Sequence, residues 1–177
     1  MMKKINEKGV TLVELMLVVV ILGVLLSVGS NLFVTGWKFV RLSQARTEIQ
    51  RDARACLNLI HRNLREAKYT SVTVYKSTTT AGVNNPPCSL IYFTNVDNDV
   101  ISYYQDGNKL YQKVKRSGLF TEEITRLAEN LRYIYFAYPH TDNEKIISVS
   151  ICFEKATYAG GAKALQLSVE QVRIMNE

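Results

Sequence analysis

Histidine, cysteine, tryptophan and proline are all scarce in this chain. Its 177 residues include two histidines, three cysteines, one tryptophan and three prolines. The cysteines (Cys56, Cys88 and Cys152) form no Cys-x-x-Cys pair and have no histidine at ligand spacing, so the sequence predicts no metal centre and no cofactor. Three thiols leave at least one unpaired in the monomer. We expect Cys56 and Cys152 in the core and Cys88 in a loop. A disulfide between Cys56 and Cys152, or one that includes Cys88, remains an alternative.

The two histidines give no catalytic constellation. His61 follows Cys56 by five residues, which places it about 140° further round a helix, so the two side chains do not face each other as base and nucleophile. We expect His61 on the solvated face. His140 follows Pro139 in a predicted loop and has no second catalytic group near it in the sequence. We predict that the protein is not an enzyme.

Proline is absent before Pro86, and polar side chains are absent from Leu15 to Leu26. The apolar run from Val10 to Val34 is about 25 residues long, enough to cross a bilayer. The first nine residues hold three lysines against one glutamate. Basic residues beside an apolar span keep that end cytoplasmic, so the sequence predicts a single-pass membrane protein whose remaining chain is exported.

The segment around this run carries a recognisable order of residues: a basic leader, Gly9, Val10, then Thr11-Leu12-Val13-Glu14 and an uninterrupted apolar helix. This order resembles the N-terminus of type IV prepilins and pseudopilins. In that family the leader ends in glycine, and Thr-Leu-x-Glu lies at the start of the mature chain. Val10 stands where the family usually has phenylalanine. Glu14 corresponds to the glutamate at the fifth mature position.

The resemblance implies a set of site residues and partners. A prepilin peptidase would cut between Gly9 and Val10, and the new N-terminus at Val10 would be methylated. A lone carboxylate in a membrane helix costs roughly 2.5–3.5 kcal/mol and needs a partner. The resemblance implies that Glu14 docks onto the amine of an adjacent subunit. Other pilins or pseudopilins, an inner-membrane assembly platform and membrane lipids are the further implied partners, and the bacterial inner membrane, then the filament, is the implied location.

Two other interpretations of the N-terminus remain. An ordinary secretory signal would be cut near Ser27-Val28-Gly29, although a glutamate inside its apolar region fits poorly. A plain single-span anchor needs no cleavage at all. Both leave the order from Gly9 to Glu14 without an explanation.

Helical periodicity continues beyond the apolar run, and the sequence predicts one helix from about Val10 to about Lys68. Its apolar stripe has steps of three and four residues, typical of an amphipathic helix. The stripe consists of Leu42, Ala45, Ile49, Ala53, Cys56, Ile60, Leu64 and Ala67. We expect it to cover a β-sheet formed by the rest of the chain.

From Tyr69 onward the pattern changes to short strands. We predict strands near 71–76, 89–94, 100–105, 109–115, 131–138, 147–153 and 165–174, a hairpin at Asp106-Gly107-Asn108, and a mobile polar loop at Ser77–Pro87. Thr121–Asn130 reads as a short helix because Thr121 suits an N-cap and two glutamates follow it. The fold class is therefore α+β: a long N-terminal helix, membrane-spanning in its first half, packed on an antiparallel sheet. The resemblance implies the pilin-like version of this architecture.

The resemblance extends weakly into the C-terminal part. The hairpin, the following Leu110-Tyr111 and the late segment Ser168–Arg173 are similar to minor pseudopilins and minor pilins of the PulJ/PilW kind. This similarity implies a subunit present in few copies, at the tip or start of a filament. The expected organisation is a leader at 1–9, a transmembrane and assembly helix at 10–35, and a pilin-like globular domain at 36–177.

Three further features have competing interpretations. The oxygen-rich segments Asp97-Asn98-Asp99 and Asp106-Gly107-Asn108 are more simply turns than calcium loops, because no bidentate glutamate closes them at EF-hand spacing. The basic helix face between Lys38 and Lys68 is interpreted as solvated and partly ion-paired; nucleic acid stays an unsupported partner. The alternative function is a membrane-tethered surface module that binds DNA or another ligand and acts alone.

Overall fold

A computed structural model of the chain describes residues 9–77, 85–119, 121–139, 145–157 and 161–176. The chain divides into two compact units, Met1–Arg41 and Leu42–Glu177. One long helix and two antiparallel sheets make up the regular structure. The predicted α+β, pilin-like class is confirmed, with two sheets in place of the single sheet expected.

Helix α1 comprises Leu12–Arg65, 54 residues, and begins and ends within three residues of the predicted limits. In its first part, which belongs to the Met1–Arg41 unit, the apolar side chains are exposed. A short 3-10 helix, Tyr69–Ser71, follows α1.

The second part of α1 contributes one face to the core of the Leu42–Glu177 unit. Its buried residues recur every three or four positions, which places them in one stripe along the helix. They are Ala45, Ile49, Ala53, Cys56, Leu57, Ile60 and Leu64. The predicted stripe is confirmed, with Leu42 only partly buried, Ala67 buried just after the helix, and Leu57 as an addition.

The first sheet has five strands in sequence order, and each pairs antiparallel with the next. The strands are β1 (Thr73–Tyr75), β2 (Leu90–Thr94), β3 (Val100–Asp106), β4 (Lys109–Lys115) and β5 (Glu122–Ala128). The predicted hairpin joins β3 to β4 with Asp106 opposite Lys109. Gly107 takes a φ of 60° at the first central position, as a type II′ turn requires.

The prediction of a helix at Thr121–Asn130 is wrong, because residues 122–128 form strand β5. The two glutamates that suggested a helix N-terminus instead lie opposite the basic end of β4. Lys113 Nζ lies 2.5 Å from Glu122 Oε2, and Arg116 lies 3.7 Å from Glu123. Cross-strand pairing with β4 therefore decided the structure of a segment whose local signals were ambiguous.

The second sheet has three strands: β6 (Leu131–Ala137), β7 (Ile146–Ala156) and β8 (Lys163–Arg173). β7 lies in the centre and pairs antiparallel with both neighbours. The predicted alternation along β7 is confirmed, since Ile147, Val149, Ile151 and Phe153 are all fully buried. Cys152 departs from the alternation because it is also buried.

A buried polar side chain, Gln105, joins the two sheets. Its amide nitrogen donates to the carbonyl oxygens of Gly107 (2.7 Å) and Arg132 (3.2 Å), and its Oε1 accepts from the N–H of Ile134 (3.0 Å). Gln105 lies on β3, whereas Arg132 and Ile134 lie on β6. Each group of this buried amide therefore has a partner, as burial of a polar side chain requires.

The same network corrects the prediction of a mobile polar loop at Ser77–Pro87 for two of its residues, Ser77 and Asn85. Residues 78–84 lie outside the described residues, but the flanking Ser77 and Asn85 are both 2% exposed. Ser77 Oγ donates to the carbonyl oxygen of Gln105 (2.6 Å), and Asn85 Nδ2 donates to that of Ser77 (3.2 Å). Composition alone suggested a solvated tract, because these partners lie far away in the sequence.

Candidate processing and assembly site

The predicted cleavage junction lies immediately before α1. Gly9 and Val10 are exposed and have no regular secondary structure. Thr11 forms the N-cap: its Oγ1 accepts from the N–H of Glu14 (3.3 Å), and its carbonyl oxygen accepts from the N–H of Leu15 (3.1 Å). The Gly9–Val10 peptide bond is therefore solvent-exposed and not part of a helix. An enzyme that binds its substrate in an extended conformation could reach it.

The chain's own fold does not require glycine at position 9. A Cβ placed on Gly9 would meet no described atom within 4 Å, and its φ lies outside the left-handed region. Substitution should therefore strain nothing within this chain. A requirement for glycine here would have to come from a partner that binds the segment.

Glu14 occupies the third helical position, where a carboxylate interacts favourably with the helix dipole. Thr11-x-x-Glu14 is the sequence pattern of a capping box, in which the threonine hydroxyl accepts from the glutamate N–H. That half of the box is present at 3.3 Å. In the described part of the chain the Glu14 carboxylate has no ion-pair partner. Sequence analysis assigned Glu14 to docking alone and missed the cap, although the Thr-x-x-Glu spacing was readable.

The helix that follows leaves its apolar side chains uncovered. From Leu12 to Val40 they are 49–76% exposed. The helix is long and apolar enough to cross a membrane, and exposed apolar surface on this scale is characteristic of lipid or protein contact.

Two polar side chains inside the run form local hydrogen bonds. Ser30 Oγ and Asn31 Nδ2 both donate to the carbonyl oxygen of Ser27, at 3.1 and 3.3 Å. Such bonds to the preceding turn reduce the cost of placing polar groups in hydrocarbon. Arg41 lies 4.6 Å above the Trp37 ring, a cation–π contact between two residue types that favour membrane–water interfaces.

The other candidate residues are not brought together. Cys56 and Cys152 are buried and Cys88 is partly exposed, as predicted, and all three thiols are free. Burial and the Asp52 carboxylate raise the pKa of the Cys56 thiol to about 12, so it is protonated at neutral pH and a poor nucleophile. His61 is half-buried rather than fully solvated, and His140 lies outside the described residues.

The first oxygen-rich segment forms a turn in which side-chain oxygens of Asn98 and Asp99 accept hydrogen bonds from other parts of the chain. Asp99 Oδ1 accepts from the N–H of Ser117 (2.8 Å), and Lys68 Nζ donates to Asn98 Oδ1 (2.6 Å). Within the described ranges, no group of three histidine, cysteine or acidic side chains has a geometry suited to a metal ion. The segment's oxygens therefore hold the turn in shape.

The basic face of α1 is ion-paired in part, as expected. Glu48 Oε2 forms an ion pair with Lys155 Nζ at 2.5 Å, and Asp52 Oδ1 lies 3.4 Å from Arg51 Nη2. These acids reduce the positive field that a nucleic-acid backbone would need.

Comparison with known families supports the N-terminal interpretation. Residues 4–30 match the family model of the prokaryotic N-terminal methylation motif. No curated protein matches the chain. The motif supports a type IV pilin-like or pseudopilin-like subunit, and it points to a structural class of protein rather than an enzyme. For that class in general, it implies processing by a prepilin peptidase and assembly with other pilins. The apolar helix is compatible with single-pass membrane anchoring.

Proposed function

We propose that this protein is a minor pilin or minor pseudopilin, a structural subunit of a type IV pilus or a type II secretion pseudopilus, that acts at the tip or in initiation. One observation carries the proposal. The methylation motif at residues 4–30 includes the start of a helix whose apolar side chains are exposed from Leu12 to Val40, a stretch longer than the hydrocarbon core of a bilayer is thick. Such a helix needs lipid before assembly and neighbouring helices after it.

In this proposal the exposed junction is the processing site. A prepilin peptidase cuts between Gly9 and Val10 on the cytoplasmic side, and Val10 becomes the methylated N-terminus. The N-cap at Thr11 supports this division, because the junction lies outside the helix while residues from Leu12 onward are already helical. The globular Leu42–Glu177 unit lies on the exported side.

Glu14 has two successive roles in the proposal. In the precursor its carboxylate stabilises the first turn of α1 through the helix dipole. After cleavage, the α-amino group of a neighbouring subunit supplies an opposite charge, and pairing in the apolar surroundings selects the axial position of the incoming subunit.

The placement as a minor subunit rests on the C-terminal features that resemble minor pseudopilins, namely the Asp106–Lys109 hairpin with Leu110-Tyr111 and the final strand with Ser168–Arg173. They occur in the structure as the β3–β4 hairpin and β8. A minor role predicts that filaments contain far fewer copies of this chain than of their major subunit, which quantitative mass spectrometry of purified filaments measures.

The processing step is tested by the intact mass of protein extracted from membranes. We expect a chain that begins at Val10 and carries one methyl group. Gly9→Leu should leave full-length precursor in the membrane, because a Cβ at position 9 meets no described atom of the chain, whereas we expect the peptidase to require glycine. Gly23→Leu, which also meets no described atom, is the matched control and should be processed normally. Retention of residues 1–9 in the wild-type protein, or a start near Ser30, would contradict the proposal.

The docking role is tested by Glu14→Val. The substitution makes the helix more apolar, so membrane insertion and processing should survive while incorporation into filaments falls at least tenfold. Incorporation of the Glu14→Gln variant, which keeps the size of the side chain but not its charge, should fall by a similar factor. Incorporation is compared at equal membrane levels by quantitative immunoblotting of the filament fraction; unchanged incorporation of Glu14→Val would remove Glu14 from the docking step.

A further inference from the structure

The middle of strand β8 carries its apolar residues on the face that points away from the core, whereas Ala164 and Val172 near its two ends are buried. In the middle of β8, the residues opposite the buried face of β7 are Gln166, Ser168 and Glu170, which pair with Phe153, Ile151 and Val149. The apolar residues between them, Leu165, Leu167 and Val169, lie on the other face and are 55–56% exposed. A half-buried strand normally has the opposite pattern, so the fold of this unit does not explain the apolar face of β8.

β8 is also a free edge. Within the described residues its single hydrogen-bonded neighbour is β7, and the eleven pairs between them run without a register shift. An uninterrupted edge of this length presents a row of about five outward-pointing N–H and C=O pairs. From Ala164 to Val169 it carries no charged side chain.

The edges of the five-stranded sheet are protected by comparison. β1 has three residues, and short edges pair poorly. β5 carries Glu122, Glu123 and Arg126, and its pairing with β4 contains a register shift. Charges and irregularities on an edge are how proteins prevent unwanted strand addition. β8 has neither device along its centre.

We propose that the free edge of β8 accepts a β-strand from a different, neighbouring subunit of the filament. The occupant must be a strand, because only an extended backbone satisfies a row of edge N–H and C=O groups. On the face that carries Leu165, Leu167 and Val169, the incoming strand must have apolar residues at alternate positions, so that they cover these side chains. It must also lack charge over about six residues, because a charge there would lose water without gaining a partner.

The charged residues at the C-terminal end of β8 indicate which charge the incoming strand should carry. Glu170 and Arg173 are exposed, and neither has an ion pair in the described part of the chain, whereas Lys163 is held by Glu154. The complementary strand therefore carries a basic residue opposite Glu170, which favours one register over slips by two residues. The proposal rests on the proposed function for the identity of the neighbour, a pilin-type subunit.

The test uses the full chain in cells that carry the complete assembly system. Leu167→Lys places a charge at the centre of the free edge, and Ile124→Lys places the same charge at a site on β5 of equal exposure, 56% against 55%. We expect Leu167→Lys to lower recovery of the protein in the filament fraction at least tenfold, and Ile124→Lys to change it less than twofold. Val169→Lys serves as a second edge variant, and thermal unfolding of each purified variant confirms that the fold is kept.

The occupant is identified by a photo-crosslinking residue at position 167, with the same residue at position 124 as the control. The supporting result is an adduct whose peptides come from another protein with a prepilin-type N-terminus, linked through an extended segment of alternating apolar residues. An adduct with a second copy of this chain, an adduct with an exported protein, or equal effects of the two lysine variants would overturn the proposal. The mass of the mature protein is measured in the same cells, so that a failure of processing, which concerns the proposed function, is distinguished from a failure of the β8 edge.

Discussion

Helix α1 contains two apolar surfaces in opposite environments. In the Met1–Arg41 unit leucine, valine and isoleucine surround the helix on all sides and are exposed. In the Leu42–Glu177 unit the buried apolar residues of the helix form a single stripe, and Ile49, Ile60 and Leu64 are at most 1% exposed. The two parts differ in how their apolar residues are distributed around the helix. A stripe packs into the core of its own chain, whereas a helix that is apolar all round is covered by lipid or by other helices.

Truncation of the stripe should have the largest effect on stability. Ile60→Ala and Leu64→Ala each remove fully buried methyl groups and leave a cavity, which costs about 2–5 kcal/mol of unfolding free energy. Leu22→Ala, in the exposed run, should leave the unfolding of the globular unit unchanged. Chemical denaturation of the detergent-solubilised protein, followed by tyrosine fluorescence, measures all three. Equal denaturation midpoints for the stripe variants and Leu22→Ala would show that the stripe contributes no more to the stability of the globular unit than the exposed run does.

The buried stripe should also respond to alkaline pH. Burial raises the pKa of the Cys56 thiol to about 12, so above its ordinary value the unfolded chain loses a proton that the folded chain keeps. Stability is therefore fully present below about pH 9 and falls as pH rises, by about 1 kcal/mol per pH unit from this group. Denaturation midpoints at pH 8, 9 and 10 measure the slope.

Cys56→Ala is the matched control for the alkaline response, since alanine has no proton to lose. The slope between pH 9 and 10 should become shallower in this variant. It should not vanish at higher pH, because burial also raises the pKa of Tyr103. An unchanged slope in Cys56→Ala would show that the thiol is not the group responsible.

The smallest effect is expected at the start of α1. Thr11→Ala removes the hydroxyl that accepts from the Glu14 N–H, and loss of an N-cap costs about 1 kcal/mol. The cost should appear as faster amide hydrogen exchange at residues 12–15, with no change in the unfolding of the globular unit. Thr11→Ser keeps the hydroxyl and should exchange like the wild type. Equal exchange in the alanine variant would mean that the hydroxyl does not cap the helix.

Features with a strong local signal were predictable from the sequence. The stripe of α1 follows from steps of three and four residues, and β7 follows from strict alternation between apolar and small polar residues. The Asp106–Lys109 hairpin follows from turn chemistry that permits few alternatives. The cleavage junction between Gly9 and Val10 is a prediction from a motif, and it stays a prediction; the structure adds that both residues are exposed and precede the helix.

Features decided by distant partners were not predictable. Residues 122–128 carry the signals of a helix start, but lysine and arginine side chains from β4 and the following turn hold them as a strand. Gln105 has no local mark of its role, because its partners at Arg132 and Ile134 lie in another sheet. The apolar face of β8 was visible as a pattern, but its orientation depends on the register with β7.

The Gln105 amide has a mechanical consequence. One side chain bonds to the turn after β3 and to two backbone groups of β6, so a load applied to the three-stranded sheet reaches the five-stranded sheet through hydrogen bonds that must break together. Separation of the sheets should therefore occur as a single event rather than by gradual fraying. Under tension in a force spectrometer, Gln105→Leu should add an early rupture before the main one, and the wild-type unit should give one.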